Sequence, residues 1–175
     1  MRRCYSAKIT IFSRIHMKKM PPIEKIPEAY SAIADNRIEM DAANEMAHVF
    51  SSDRTKAYTV TWKDNVYTSN DNSSYWQGAV GYPMIAVLLL QSKLPLNPDI
   101  VALFKDINWK NINTRHKNKY DRALAEVFHD LAMQGIDLHP IENNFREVYA
   151  DLENLPLKTK KSSLRPPTGK ETKGL

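Results

Sequence analysis

Residues 54–68 read Arg-Thr-Lys-Ala-Tyr-Thr-Val-Thr-Trp-Lys-Asp-Asn-Val-Tyr-Thr. From Lys56 to Trp62 this stretch alternates, with Tyr58, Val60 and Trp62 on one face and Ala57, Thr59 and Thr61 on the other. A period of two built from β-branched and aromatic residues predicts a strand. Lys63-Asp64-Asn65 is a tight turn, and Val66-Tyr67-Thr68 begins the returning strand. So short a connection joins antiparallel neighbours. Upstream, residues 47–51 form a strand candidate across the turn Ser52-Asp53-Arg54, and residues 37–41 alternate around Ile38 and Met40. The segment predicts an antiparallel β-meander.

Outward from the meander the period changes. Ile23, Ile26, Tyr30 and Ile33 are spaced 3, 4 and 3 apart, and Pro27 suits a first helical turn, which predicts a helix over 27–34. Downstream, residues 69–74 are six polar residues in a row, read as a loop that runs on into Tyr75 and Trp76. Residues 84–91 are apolar almost all round, the pattern of a buried helix, with Pro83 at its first turn. A short helix over 98–104 has Asn97 as N-cap, and residues 106–113 are a connector holding Trp109. The longest helix spans 114–134 and closes at Gly135, and the last spans 140–155 and ends at Pro156. A connection of a few residues predicts that these two pack as an antiparallel pair. The fold class is therefore α+β. A single domain over 21–157 comprises the meander and buried helix (47–90) and the helical part (98–155). It is flanked by a basic extension, 1–20, and by a tail, 158–175, whose Lys, Ser, Pro, Thr and Gly predict disorder.

The chain has 175 residues, 42% of them apolar and 26% charged, enough to build a core. Its longest apolar run, residues 84–90, is far short of the roughly 20 residues that a membrane span requires. One cysteine, Cys4, excludes an intrachain disulfide framework and a cysteine-rich zinc site. The N-terminal stretch lacks a secretory h-region and cleavage site, so the expected location is cytoplasmic; Met17 and Met20 are alternative starts to Met1. The net charge of +5 is unevenly placed: residues 1–20 carry +6, residues 158–175 carry +5, and the body carries −6. Basic ends on an acidic body suit sequence-independent contact with nucleic acid, and equally suit simple solvation.

Two stretches, Arg54 to Val60 and Gly81-Tyr82-Pro83-Met84-Ile85-Ala86-Val87-Leu88-Leu89, resemble the SWIM zinc-finger family over about residues 47–90. The first is similar to the family's Y-x-V strand and the second to its C-x-H-I-x-A-x-L-L helix. The resemblance implies a small β-meander with a following helix, and an association with DNA or protein partners. The family holds zinc through C-x-C and C-x-H. Here the C-x-H positions fall on Gly81 and Pro83, and the C-x-C positions fall near Thr68 and Asn70, so no zinc cofactor is expected. Burial of Tyr75, Trp76 and Tyr82 offers a replacement for the lost metal, at about 1.5–3 kcal/mol per large side chain.

Two candidate sites follow. Lys110, Arg115, Lys117, Lys119 and Arg122, flanked by Trp109 and Tyr120, form a basic segment able to grip phosphates. The bland alternative is the solvated face of an amphipathic helix. Asn70, Asp71 and Asn72 with Tyr75, Trp76 and Tyr82 form a polar aromatic partner-binding loop suited to a base, a sugar or a peptide. The alternative is a turn in which Asn and Asp bond their own backbone. His129, Asp130, His139 and Glu142 offer a hard N/O metal set across a helix turn, set against ordinary surface and capping roles. No P-loop, dinucleotide, G-x-S-x-G or H-E-x-x-H motif occurs, and no acid–base pair stands out. The sequence therefore points to a non-catalytic binding module, nucleic-acid-associated through the basic segment and tails. The alternatives are a protein-interaction adaptor and, more weakly, a small enzyme with its site at residues 70–74.

Overall fold

The meander is the centre of the computed structural model, which describes residues 16–168. Its strands are β2 (Ile38–Asp41), β3 (Met46–Phe50), β4 (Ala57–Lys63) and β5 (Val66–Ser69), each antiparallel to the next. Lys63 pairs with Val66, leaving a two-residue loop whose Asp64 and Asn65 both have positive φ (48° and 62°). That is the hairpin turn whose twist matches the strands, and Asp and Asn tolerate it best among residues with a Cβ. The turn-prone residues after β2 close as a 3-10 turn, Ala42–Asn44, capped by the Asp41 carboxylate on the Asn44 N–H.

The sheet has six strands, because two short segments add to its edge. β1 (His16–Met17) and β6 (Lys158–Thr159) give the order β1-β6-β5-β4-β3-β2, with β6 parallel to β5 and antiparallel to β1. The expectation of disorder from residue 158 onward is therefore corrected over 158–168. Leu157, Thr159 and Ser162 are buried, the Lys158 and Lys160 N–H groups donate to the Asn65 and Tyr67 carbonyls, and the Arg165 carbonyl accepts from Asn70 Nδ2. Composition hid this because the pairing uses backbone groups, which every residue carries. Residues 16–20 of the basic extension also join the fold, through β1 and a bridge between Lys19 and Ala79. Cys4 and the cations at 2, 3, 8, 14, 170 and 173 lie outside the described residues.

Deleting residues 158–175 is expected to cost about 3 kcal/mol, at about 1 kcal/mol for each of the three hydrogen bonds named above. Urea unfolding measures it; an unchanged midpoint would mean the segment only rests on the surface.

Seven α-helices occur among the described residues: α1 (Lys25–Ala34), α2 (Asn72–Gln77), α3 (Tyr82–Leu90), α4 (Pro98–Ala102), α5 (Trp109–Arg115), α6 (Tyr120–Met133) and α7 (His139–Asn154). The all-apolar α3 is the hub, packing on β4 and β5 and on α1, which in turn meets α4 and α7. A helix buried all round follows from its having no polar face. Tyr30 of α1 stands edge-on to Phe104 and Phe145 and donates to Asn144 Oδ1 at 2.6 Å. Phe128 of α6 stacks on Phe145 of α7.

Three boundaries differ from those expected. The polar run is not a loop: Asp71 accepts the Ser74 N–H and starts α2. The connector holding Trp109 is helix α5, started by the Asn108 side chain on the Asn111 N–H. The long helix begins at Tyr120, because Lys117 and Asn118 both take positive φ (52° and 60°) and break the ladder between α5 and α6.

Candidate functional site

Where α1 approaches the starts of α2, α3 and α5, the packing leaves a cleft of about 330 Å³. Its wall holds charge that the core would not otherwise tolerate. Lys25, Glu28, Arg37 and Asp71 all line it and are no more than 8% exposed. Buried charges persist when they are paired and hydrogen-bonded. Lys25 Nζ bonds Glu28 Oε1 at 2.8 Å, one helical turn away, and stands 3.7 Å from the centre of the Tyr120 ring. Asn113 Nδ2 donates to the same Glu28 oxygen at 3.0 Å. Asp71 accepts from Ser69 Oγ at 2.6 Å and from the Ser74 N–H at 3.1 Å.

Arg37 enters from the residue before β2. Its Nε donates to Asp35 at 3.2 Å and its Nη1 to the Phe50 carbonyl at 2.6 Å. Its Nη2 is buried with no partner, and so is Asn113 Oδ1. Tyr58 of β4 and Tyr82 at the start of α3 face each other edge-on, 6.0 Å between centres, and both line the cleft. Burial pushes the Tyr58 phenol up to about 12, and the Asp71, Glu28 and Asp53 carboxylates add to the effect. Burial likewise lifts Tyr82 well above its ordinary value. Both phenols are therefore neutral donors at physiological pH.

That shift has a measurable consequence. The folded Tyr58 phenol resists ionisation more than the unfolded one, which titrates near pH 10. Its contribution is complete below about pH 10 and is lost as the pH rises toward 12. Between those limits the stability of the wild type is expected to fall more steeply than that of Tyr58→Phe, as read from urea midpoints at each pH.

The basic segment is not a continuous cationic face. Lys110 lies on the cleft wall, ion-paired with Asp53 and 3.1 Å from Thr55 Oγ1. Burial works to raise the Asp53 carboxyl, but the bonds from Lys110, Ser51 and Thr55 outweigh it and hold it well below the usual range. Arg115 and His116 both bond Glu126, and the His116 bond leads the causes that lower its carboxyl. Lys117, Lys119 and Arg122 are exposed around the turn from α5 to α6. In that turn Asn118 and Tyr120 reach the cleft, so these cations stand at its rim.

The aromatic loop divides into three parts. Asn70 is a structural tie, accepting the Thr59 N–H at 2.7 Å and donating to the Arg165 carbonyl at 3.1 Å. Asp71, Asn72 and Tyr82 belong to the cleft. Tyr75 and Trp76 sit on α2 and meet Lys161 of the chain's own C-terminal segment, its Nζ 4.3 and 5.3 Å from their ring centres. The residues at the zinc-ligand positions of the resembling family do not fit a metal. A Cβ on Gly81 would lie 2.3 Å from Asp71 Oδ1, Pro83 carries no donor, and the Thr68 and Asn70 side chains are bonded within the protein. His129, Asp130, His139 and Glu142 do not assemble: among the described residues no group of three or more His, Cys, Asp or Glu comes together.

The sequence reading missed Lys25, Glu28, Arg37, Lys56 and Tyr58 as site residues. Lys25 and Glu28 stand off the apolar positions 23, 26, 30 and 33, so no local pattern marks them.

The chain belongs to the family described as Uncharacterised conserved protein UCP014422, whose model matches residues 18–158, a span that includes every wall of the cleft. No curated protein and no solved structure matches the chain. The family match carries nothing on the likeness to the SWIM family. No helix among the described residues is long and apolar enough to cross a membrane.

Proposed function

We propose that this member of the UCP014422 family is a non-catalytic binding module that holds a small polar ligand in the cleft. The observation that carries the reading is the set of four charged side chains, each no more than 8% exposed, around about 330 Å³ of open space. Ion pairs of this kind gain little stability over apolar packing, so their presence beside a cavity favours recognition over support. Support for a non-catalytic role comes from the two acids of the cleft, Glu28 and Asp71, which are both engaged by protein donors. A cytoplasmic setting fits the reading.

A thermal-shift panel of nucleotides, sugar phosphates, hydroxy acids and amino acids tests it. A ligand at 100 times its dissociation constant is expected to stabilise the wild type by about 2.7 kcal/mol. Thr114→Trp, which sets a large side chain at the cleft edge, should abolish the shift. A panel without any effect on the wild type would contradict the proposal.

A second reading, nucleic-acid binding, has one observation in its favour: Lys117, Lys119 and Arg122 are exposed together at the cleft rim. Their replacement by glutamine is expected to reduce the slope of log affinity against log salt by about 3 for DNA. Fluorescence anisotropy at two salt concentrations reads this out, and an unchanged slope rejects the rim as a phosphate contact.

A further inference from the structure

We infer that the cleft takes a ligand bearing a small oxyanion, a carboxylate or phosphate group, held by the Arg37 guanidinium and the Tyr58 and Tyr82 hydroxyls. The inference rests on the cleft being the binding site. It follows from an imbalance between engaged carboxylates and a cationic donor left without a partner. Both carboxylates of the wall are occupied: Glu28 by Lys25 and Asn113, and Asp71 by Ser69 and the Ser74 N–H. Arg37 uses Nε and Nη1 on Asp35 and Phe50 and leaves Nη2 without a partner, in a side chain only 2% exposed.

Tyr58 and Tyr82 line the same cleft, and their raised pKa values keep both hydroxyls as neutral donors. Lys56, half-buried on the adjoining wall, adds a cation. A guanidinium N–H without an acceptor and two phenolic O–H donors on the same cleft suit one kind of partner, and an anionic oxygen makes the stronger bond to each. Planar carboxylates and tetrahedral phosphates both match a guanidinium edge. Asn113 Oδ1 is an acceptor left over, and it suits a hydroxyl on the same ligand.

The test is a titration of the full chain followed by 1H–15N spectra, with inorganic phosphate, acetate and the uncharged polyol inositol as probes. The Gly81 and Ser73 backbone amides report from the cleft wall. Arg37 variants are unsuitable, because Arg37 also holds the Phe50 carbonyl. Tyr58→Phe and Tyr82→Phe keep the ring packing and remove one donor each.

Phosphate or acetate is expected to move the cleft signals saturably. Each Tyr→Phe change should weaken that binding about tenfold. The tighter anion identifies whether the natural ligand is a phosphate ester or a carboxylic acid. Equal affinity in wild type and both variants, or shifts confined to the Lys117–Arg122 turn, would overturn the inference. If inositol moves the cleft signals and neither anion does, the oxyanion fails while the cleft remains a binding site. If no probe moves them, the inference falls, and the cleft reading falls with it only if the thermal-shift panel is silent as well.

Discussion

Arg37→Met is expected to destabilise the protein by about 3 kcal/mol, a drop of about 10 °C in Tm for a chain of this size. Methionine is similar in length and packs well, so little of the loss comes from a cavity. The loss comes from the groups that arginine leaves behind. The Phe50 carbonyl, at the end of β3, loses its 2.6 Å bond from Nη1. The Asp35 carboxylate, only 13% exposed in its side chain, loses its cation and keeps only the Asp106 N–H as a described donor. Unpairing one member of a buried ion pair costs more than the pair contributes, because the remaining charge stays desolvated. Arg37→Lys should recover part of the loss, since one ammonium can reach Phe50 or Asp35 but not both with Arg37's geometry. Calorimetry distinguishes this from a solvent-exposed role, which would leave Tm within a degree or two.

Gly81→Ala is expected to cost a similar amount, about 3 kcal/mol. The backbone is not the reason, since Gly81 has φ −79° and ψ 165°, which any residue adopts. The reason is space. A Cβ there would sit 2.3 Å from Asp71 Oδ1 and 2.6 Å from Asp71 Cγ. The carboxylate cannot swing away freely, because it accepts from Ser69 and caps α2 at Ser74. Moving it gives up both bonds and shifts a wall of the cleft. The cause is separable by a double-mutant cycle. In an Asp71→Ala background the clash is gone, so Gly81→Ala should cost well under 1 kcal/mol. Additive losses in urea unfolding would mean that Asp71 and Gly81 do not oppose one another.

The meander was legible because its signal is local. Tyr58, Val60 and Trp62 alternate with threonine, and Asp64-Asn65 marks a two-residue hairpin; the structure places β4, β5 and their turn within a residue of that reading. The all-apolar α3 was legible for the same reason. Misread elements were those whose signal is a single cap or a distant partner. Asp71 and Asn108 are good N-caps, but each stands in a run of polar residues that equally suits a turn, and only the packed structure decides in favour of α2 and α5. β6 pairs with β1 and β5, segments roughly 140 and 90 residues earlier, and two-residue strands have no period to detect.

The cleft was illegible as a whole. Its decisive groups lie at 25, 28, 37, 58, 71 and 82, on three elements and two connections between elements, and nothing in any one segment brings them together. In the basic segment, nothing local shows that Asp53 and Glu126 engage Lys110, Arg115 and His116. Such pairings depend on which surfaces the fold apposes, and isolated surface pairs of this kind contribute little to the choice of fold.

The most direct measurement compares 1H–15N spectra of the wild type and of Thr114→Trp before and after addition of the small-molecule fraction of a cell extract. The account expects the Gly81 and Ser73 amides to move in the wild type and to stay still in Thr114→Trp, with both proteins folded. Cleft signals that stay still in both proteins, or that move equally in both, would contradict it.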